Sequence, residues 1–432
     1  MASFQRADVL LGKCGSEPSV LEAVNFHGVS KTKHDALVKE VSELYNSRNL
    51  DELVRNSFLA AKHMQEVGLF DGCTALIDTS KRGPKSYVVN FVAKEPTAMT
   101  LGAKVGMTTS GDADACLTGG KQSFDGRGES VDLSYSKTIR GGHSFNVSAA
   151  KPVLGWQKYS NYGGSVFRNF ETLRWNKAEV TENGIVLRYN GQLFGKLIRH
   201  SLNVNNLWRT FHPRSGCPFK VREHAGHSTK FSIENTVGID TRDRAILASK
   251  GYLAKFTQEH AGLIGDASFI RYQVDLQASA PLFLGSFLSA SLLANVVHPT
   301  AGKTLHLLDR AYLGGPHDLR GFDLRSLGPR EKGASLGGSA AFAVAAHIYR
   351  PLVPADMLFL HGFVTAGTVS SLQSRSWVSD VLETPRVSAG VGVSFIFKNL
   401  IRFELNYVVP IRSAASDATV SGVQFGAGLN FL

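Results

Sequence analysis

The residues of this chain that could do chemistry begin with a serine between glycines. Gly333, Ser335 and Gly337 match the GxSxG pattern of a hydrolase nucleophile elbow. In that elbow a strand turns sharply into a helix, which exposes the serine hydroxyl for attack on an acyl group. The residues that follow, 340–350, instead form a candidate strand. We therefore expect Ser335 to mimic the motif, and we rank a hydrolase that uses it last among the functions considered.

Metal-binding and phosphate-binding patterns are missing from the sequence. Cys14, Cys73, Cys116 and Cys217 are far apart and form no CxxC pair or Cys/His cluster, which argues against a zinc site. The glycines and lysine of 119–121 lack the spacing of a phosphate-binding loop. We predict that the protein is not an enzyme and that it uses no cofactor and no metal.

A charged turn lies in the longest gap between predicted strands, a connection at 298–336. Loops of this length are uncommon unless they are functional. We expect the connection to be ordered and to fold inward, which would require acidic or aromatic partners for Arg320. Glu404 is one candidate partner, because strand parity places it on the interior side. The residues that define the turn and support it are Gly314, Gly315, Leu319, Arg320, Gly321 and Phe322.

Alternation of apolar and polar side chains dominates the chain after residue 98. In 99–107 and in 401–409 apolar residues recur at every second position, and successive side chains of a strand point to opposite faces. Arg402 and Glu404 cannot face hydrocarbon cheaply, so they should face the lumen of a barrel. No apolar run reaches the roughly 18 residues of a spanning helix. At roughly 20 residues per strand and connection, residues 98–432 predict an all-β transmembrane barrel of about 16 antiparallel strands.

The segment 421–432, SGVQFGAGLNFL, has the clearest pattern of a strand with one face in lipid. One parity carries the apolar side chains of Val423, Phe425, Ala427, Leu429 and Phe431. We predict that this parity meets lipid. We interpret the segment as an insertion signal, and its key residues are Gln424, Gly426, Leu429 and Phe431.

Composition agrees with a curved sheet and argues against one class of partner. Lys+Arg 47 and Asp+Glu 36 leave a formal net charge of +11 at pH 7. These charges are neither clustered on a helix nor interleaved with exposed aromatic residues, so we expect no nucleic-acid partner. Contact with anionic lipid head groups is compatible with the charge. Glycine, at 43 of 432 residues, exceeds the average of roughly 7%, which suits the kinks of a closed sheet.

The residues before 98 have a different pattern from the rest. We predict a flexible tail at 1–18 and a small α+β domain at 19–97 with the order βααββ, in which Asn49 and Glu52 form a helix-capping pattern. The N-terminus has no apolar core of roughly 7–15 residues before a small-residue cleavage site, so no secretory signal is visible. We therefore expect synthesis in the cytosol of a eukaryote and import into an organelle.

Four blocks of the sequence resemble the mitochondrial sorting-and-assembly-machinery (SAM) core barrel, a relative of the BamA-type outer-membrane insertases. They are YLGGPHDLRGFDLRSLGP (312–329), LGGSAAF (336–342), RFELNYVVP (402–410) and GVQFGAGLNFL (422–432). GIDTRD at 238–243, with Gly251 downstream, and the single N-terminal module are also similar to that family. His317-Asp318-Leu319 departs from the family, which usually has smaller residues and a β-branched one there.

The resemblance implies a sixteen-stranded, multi-pass barrel in the mitochondrial outer membrane with one POTRA domain in the intermembrane space. It also implies an activity, the insertion of β-barrel precursors into that membrane. The implied partners are unfolded β-barrel precursors, metaxin-like SAM subunits on the cytosolic face, the cristae-organising (MICOS) complex and outer-membrane lipids.

A lateral gate between the first strand, 99–108, and the last strand, 421–432, makes this activity physically plausible. A precursor cannot enter lipid with an unpaired strand edge, because each unsatisfied backbone group costs several kcal/mol. An open seam offers an edge for β-augmentation, which needs no cofactor. Glycines at 102, 106, 426 and 428 should weaken the seam. The gate residues that we assign on the first strand are Leu101, Gly102, Val105 and Gly106.

A porin-type metabolite channel of the mitochondrial outer membrane is the alternative to an insertase. Such a channel would share the terminal strand signal. It would need neither the N-terminal βααββ domain nor a long inward connection. We therefore rank the insertase above the channel.

Overall fold

Three β-sheets make up most of the chain. The structure is a computed structural model, and it describes residues 14–83, 85–97, 99–107, 113–155, 159–194, 197–354, 356–371, 385–397, 401–428 and 431–432. The sheets have three, sixteen and two strands. None of the described helices is long and apolar enough to cross a membrane. Residues 1–13 of the predicted tail lie outside the described residues.

An α+β unit precedes the large sheet. Its elements are β1 (Val20–His27), α1 (His34–Val41), a 3-10 turn (Ser42–Asn46), α2 (Leu50–Glu66), β2 (Gly72–Thr79) and β3 (Ser86–Lys94). β3 is central, parallel to β1 and antiparallel to β2. Leu53, Met64 and Phe91 form part of its fully buried core. The side chain of Asn49 accepts a hydrogen bond from the main-chain N–H of Glu52 at 2.8 Å, so the predicted cap of α2 is confirmed.

Glu95 fastens the end of β3 to the segment that precedes α1. Its carboxylate accepts hydrogen bonds from the main-chain N–H groups of Ser30, Lys31 and Thr32 and from the hydroxyls of Ser30 and Thr32. Partial burial acts to raise the pKa of Glu95, but these hydrogen bonds outweigh it and lower the pKa to about 2.

Glu95→Gln should loosen residues 28–34 at neutral pH but change little near pH 2. The folded pKa lies below the unfolded value, so the carboxylate stabilises fully above the unfolded pKa and loses its effect as pH falls from about 4.5 to about 2. Hydrogen exchange of these amides, corrected for its intrinsic pH dependence, measures the effect. The exposed Asp78, changed to Asn, is the matched control. If the exchange rates of these amides differed between variant and parent by the same factor at every pH, this account would be contradicted.

Sixteen antiparallel strands form the barrel, so the predicted strand number and fold class are confirmed. They are β4 (Thr100–Met107), β5 (Ala113–Gln122), β6 (Ser130–Thr138), β7 (His143–Pro152), β8 (Asn161–Leu173), β9 (Ala178–Leu193), β10 (Ile198–Pro213), β11 (Gly226–Asp240), β12 (Gly251–Gly265), β13 (Phe269–Pro281), β14 (Phe287–Pro299), β17 (Ala340–Pro351), β18 (Leu358–Ser370), β19 (Arg386–Phe397), β20 (Ile401–Arg412) and β21 (Gly422–Gly428). A short helix, α3 (Phe219–Arg222), follows β10, and 3-10 turns occur at Phe283–Gly285 and Leu307–Asp309. Two short strands, β15 (Arg330–Glu331) and β16 (Ala334–Ser335), form a hairpin between β14 and β17.

The connections of the barrel fall at two rims. The turns 123–129 and 153–160 lie against the N-terminal unit, and we call this end the near rim. Because the strands are antiparallel, the connection after β14 begins at the opposite end, the far rim. β14 continues to Pro299 and β17 starts at Ala340, so this inward loop spans 300–339 and not 298–336.

The first and last strands meet at a seam without a ladder. β4 and β21 are the two ends of the sixteen-strand order, and they approach each other in space. No ladder joins them in the part of the chain that the structure describes, and Thr108 of the predicted first strand lies outside that part. The two strands of the predicted gate are therefore neighbours in space at the two ends of the sheet.

Candidate functional site

Glycines allow the inward loop to reverse direction inside the barrel. Gly314, Gly315 and Gly321 have φ values of +118°, +119° and +85°, in a region that side-chain-bearing residues rarely adopt. A Cβ on Gly314 would lie 2.7 Å from a main-chain oxygen, that of Asp323. A Cβ on Gly321 would lie 3.0 Å from Val408 on β20. Residues 314–322, which we call the loop tip, can therefore pack directly on the barrel wall.

The Arg320 side chain at this tip is fully buried in the lumen. Its Nε and Nη2 donate to Oε2 of Glu404 at 3.1 and 2.9 Å. The guanidinium also lies over the rings of Phe363 at 4.9 Å and Phe431 at 5.6 Å, and Nη1 donates to the carbonyl of Leu432 at 3.3 Å. Acidic and aromatic groups thus surround the buried charge, which is what a desolvated arginine requires.

Glu404 connects the loop tip to the wall formed by β17–β20. Arg402 donates to its Oε1, and Asn406 Nδ2 donates to its Oε2 at 2.9 Å. Arg402 in turn donates to the hydroxyl of Tyr349 at 2.5 Å. One carboxylate therefore serves two guanidiniums, so the loss of either partner leaves a charged group without full compensation.

Main-chain bonds tie the loop tip to β21 and to the turn before it. The N–H of Gly321 donates to Oε1 of Gln424 at 3.1 Å, and the carbonyl of Gly321 accepts from the N–H of Val420 at 2.9 Å. Leu319 and Phe322 on either side are fully buried in one apolar cluster at the wall. The predicted loop residues and the predicted terminal strand thus meet in space.

Only part of the terminal strand has the predicted arrangement. Val423 and Phe425 point outward and are 70% and 54% exposed, and Gln424 points into the lumen. β21 ends at Gly428, short of the predicted Leu432. Leu429 lies outside the described residues.

Phe431 lies inside the barrel, so the prediction that it faces lipid is wrong. Its ring is 4.8 Å from that of His317 and 4.7 Å from the guanidinium of Arg402. The N–H of Leu432 donates to the carbonyl of His317 at 2.8 Å. Side-chain parity applies only while the backbone stays in the ladder, and Phe431 lies beyond the end of β21 at Gly428.

Glycines of β21 make room for the loop tip. A Cβ on Gly426 would lie 3.0 Å from Phe431 and 3.2 Å from Pro316. A Cβ on Gly428 would lie 2.7 Å from the ring of His317. The structure therefore assigns these glycines to close packing of the loop, in addition to the weakening of the seam that we expected.

The assigned residues of the first strand lie at the other side of the seam. Leu101 and Val105 point outward and are 80% and 82% exposed. A Cβ on Gly102 or Gly106 would lie 2.9 Å from a side-chain oxygen on β5. The contacts of the loop with the seam that are given above are made with β21.

Comparison with known proteins decides the family. The sequence pattern of the Omp85 superfamily domain matches residues 124–431. This chain belongs to the Omp85 superfamily. It is 32% identical to the sorting and assembly machinery component 50 homolog of Mus musculus, over 96% of this chain and 90% of the relative. It is 31% identical to the Homo sapiens homolog with the same coverage.

A solved Omp85-type structure has the same fold. The crystal structure of BamA from Haemophilus ducreyi lacking POTRA domains 1–3 matches with a TM-score of 0.78 and 17% sequence identity. The match covers 95% of this chain and 84% of the other. The recognised resemblance to the SAM barrel is therefore confirmed, and the chain is an outer-membrane β-barrel of the Omp85 insertase family.

Sequence reasoning missed a second anchor of this Omp85 barrel's inward loop, at the loop base. Asp309 is buried and accepts from Arg209 Nη1 and Nη2 at 2.7 and 3.0 Å. Its carbonyl accepts from Arg271 at 2.8 Å. Glu259 pairs with Lys230 at 2.7 Å and with Arg271 at 3.0 Å. One signal of this anchor was present in the sequence, because charged residues occupy inward-facing positions of the neighbouring strands β10–β13.

The GxSxG match does not form an elbow. Ser335 belongs to the two-residue strand β16, and the next regular element is strand β17, not a helix. Its hydroxyl is buried and makes no hydrogen bond to the residues that the structure describes. The structure therefore agrees with the interpretation of the motif as a chance match.

Proposed function

We propose that this chain folds and inserts β-barrel precursors into the mitochondrial outer membrane through the seam between β4 and β21. The observation that carries the proposal is that the described residues of these two strands form no ladder with each other, whereas all other neighbouring strands of the sheet do. An edge with free N–H and C=O groups is a template for another strand. A precursor strand could pair with β4 or β21 before it leaves for lipid.

The loop contacts support a gate that can open without breaking the sheet. Besides its ladder with β20, β21 is held on the lumen side by the bond from the main-chain N–H of Gly321 to Gln424 and by the packing of Gly426 and Gly428 against the loop. Cross-strand side-chain pairs contribute roughly 0.2–1 kcal/mol each, so a ladder would add many such terms that this seam lacks. Separating β21 from β4 should therefore cost less free energy than separating any two strands of the barrel that are joined by a ladder.

The orientation and the partners are part of the same proposal. The N-terminal unit is a POTRA domain in the intermembrane space, and the far rim faces the cytosol. Metaxin-like SAM subunits bind at the cytosolic face, the MICOS complex binds on the intermembrane-space side, and lipids contact the outward strand faces. The protein acts by strand pairing and not as an enzyme.

A stalled precursor tests the insertase directly. Cysteines placed in β4 and β21 should form crosslinks to an arrested β-barrel precursor. Ile185, which lies on the outward face of β9 within continuous ladders, provides the matched control position. Equal crosslinking at all three strands would contradict insertion through the seam.

Residues 20–96 should be protected from protease in intact mitochondria and digested after the outer membrane is ruptured. The expected result follows from placing the near rim in the intermembrane space. Immunodetection of an epitope in this unit measures it, and a cytosol-facing protein provides the control for protease activity. Digestion in intact organelles would reverse the proposed topology.

The porin-type channel has less support than the insertase. The inward loop is anchored at both its base and its tip, and its residues Leu319 and Phe322 are buried against the wall. A cavity of about 620 Å³ remains between the loop tip, β12–β13 and the seam. Single-channel recording with and without residues 300–335 separates the two functions. In an insertase the inward loop occupies the lumen, so removing it should increase the conductance.

A further inference from the structure

The N-terminal unit touches the near rim at two turns. At the turn 123–129, the N–H of Lys33 donates to the carbonyl of Gly126 at 3.0 Å. The Lys33 ammonium lies 2.6 Å from Asp125, and Arg127 donates to Asp35 at 3.1 Å. These charged side chains are partly exposed. Exposed ion pairs contribute little, so this turn guides the docking without fixing it.

The second contact, which involves Leu154, Gly155 and Tyr159 between β7 and β8, centres on buried groups of the unit. Glu40 of α1 and His63 of α2 are fully inaccessible to solvent, and Oε2 of Glu40 lies 2.7 Å from Nδ1 of His63. Oε1 of Glu40 accepts from the N–H of Gly155 in the barrel at 2.6 Å. The His63 ring meets the Tyr159 ring edge-on at 4.7 Å, and Leu154 packs on the core of the unit. One oxygen of a buried carboxylate thus depends on a barrel amide.

This buried carboxylate opposes separation of the unit from the rim. A charge removed from water is costly unless its hydrogen bonds are complete. If the unit moved away, Glu40 would lose its bond to Gly155 before it gained full hydration. The other carboxylate oxygen of Glu40 is already engaged by Nδ1 of His63, so it does not replace the lost bond.

The docking site lies on one side of the seam. Both turns join strands between β5 and β8, next to the first strand. Only residues 95–99 separate the end of β3 from the start of β4. On the other side, the loop tip holds β21. In the part of the chain that the structure describes, the contacts of the unit given above are therefore on the first-strand side of the seam.

We propose that Glu40 is a positioning residue that joins the N-terminal unit and strands β4–β8 into one rigid body. The seam then opens by displacement of β21, without a swing of the unit. A precursor that passes the unit therefore always meets the β4 edge in the same orientation. The proposal rests on the insertase function, and the experiments below separate the two.

Substitutions of Glu40 give the first test. Glu40→Ala should accelerate protease cleavage at 95–99 and slow insertion, each by about tenfold, because a charge-assisted hydrogen bond between the two parts is lost. Glu40→Gln keeps an oxygen that can accept from Gly155 and a polar group beside His63, so it should stay within about twofold of the parent. Glu43→Ala, on the exposed turn after α1, is the control. Equal behaviour of the Ala and Gln variants would overturn the positioning role.

A covalent tether gives the second test. Lys33→Cys and Asp125→Cys are bridged by a bismaleimide in a chain whose four native cysteines have been replaced. The tethered parent should insert precursors at the untethered rate, and the tether should restore insertion to Glu40→Ala. A general folding defect would not be rescued in this way. A tether that blocks insertion in the parent, or fails to restore the variant, would refute the proposal.

The controls distinguish this proposal from the insertase function. If the untethered, cysteine-substituted chain inserts no precursor while its barrel is intact, the insertase function itself fails. The cleavage rate at 95–99 still reports whether Glu40 fastens the unit. A Glu40→Ala chain that is cleaved no faster than the parent would then show that the contact does not fix the unit.

Discussion

Arg320→Ala should slow insertion of β-barrel precursors by about tenfold or more, while the variant stays embedded in the membrane. The substitution removes one side of a fully buried ion pair with Glu404. Breaking such a pair costs about 3–5 kcal/mol. It also removes the group that lies over Phe431 and donates to Leu432. The loop tip and the last strand should therefore lose their fixed arrangement together.

Assembly of a porin-type precursor in isolated mitochondria measures this effect, and resistance to alkaline extraction shows membrane integration. Arg330→Ala is the matched control, because Arg330 belongs to the same loop and donates to the carbonyls of Gly333 and Ser416 without a carboxylate partner in those bonds. Arg320→Lys should be intermediate, since an ammonium keeps the charge and loses the planar fork. Normal assembly by Arg320→Ala would show that the tip contacts are dispensable.

A disulfide across the seam should block insertion by about tenfold or more, and reductant should restore it. One cysteine is placed in β4 and one in β21, and pairs are screened for oxidation. The lock adds a covalent bond where the structure has no ladder, so the strands can no longer separate for a precursor. The native cysteines to be replaced first are Cys14, Cys73, Cys116 and Cys217.

A disulfide within a regular ladder is the control for the seam experiment. Val364 and Ala389 face each other on β18 and β19. A disulfide between cysteines at these positions should leave insertion within about twofold of the parent, because that ladder is not expected to open. A locked seam that still inserts at the normal rate would exclude gating through β4 and β21.

The fold could be predicted because its main signal is local. Alternation with period two needs only the residues of one strand, and it indicated the barrel and the inward side of Arg402 and Glu404. Helix spacing and the capping pattern at Asn49 indicated the N-terminal helices in the same way. Strand ends were less certain, because the chain leaves a ladder where tertiary contacts compete with it. Gly428 is such a point.

The candidate site was only partly visible in the sequence. The length of the loop and its glycines indicated an ordered turn, and parity suggested Glu404 as a partner for Arg320. The anchor between Asp309 and Arg209 was missed, since residues 100 positions apart carry no local signal of contact. Contacts between such distant residues depend on how the strands are arranged around the barrel and on which part of the wall the loop approaches.

By itself, the sequence determined the strand periodicity, the α+β unit before the barrel and the family. The tertiary structure alone decided that the described residues of β4 and β21 form no ladder with each other, and that Phe431 lies in the lumen and not on the lipid side. Local periodicity describes a strand only within its own ladder. Beyond that ladder, the position of the chain depends on the free energy of burying Phe431 against His317 and Arg402, and those residues are brought together only by the folded barrel and its inward loop.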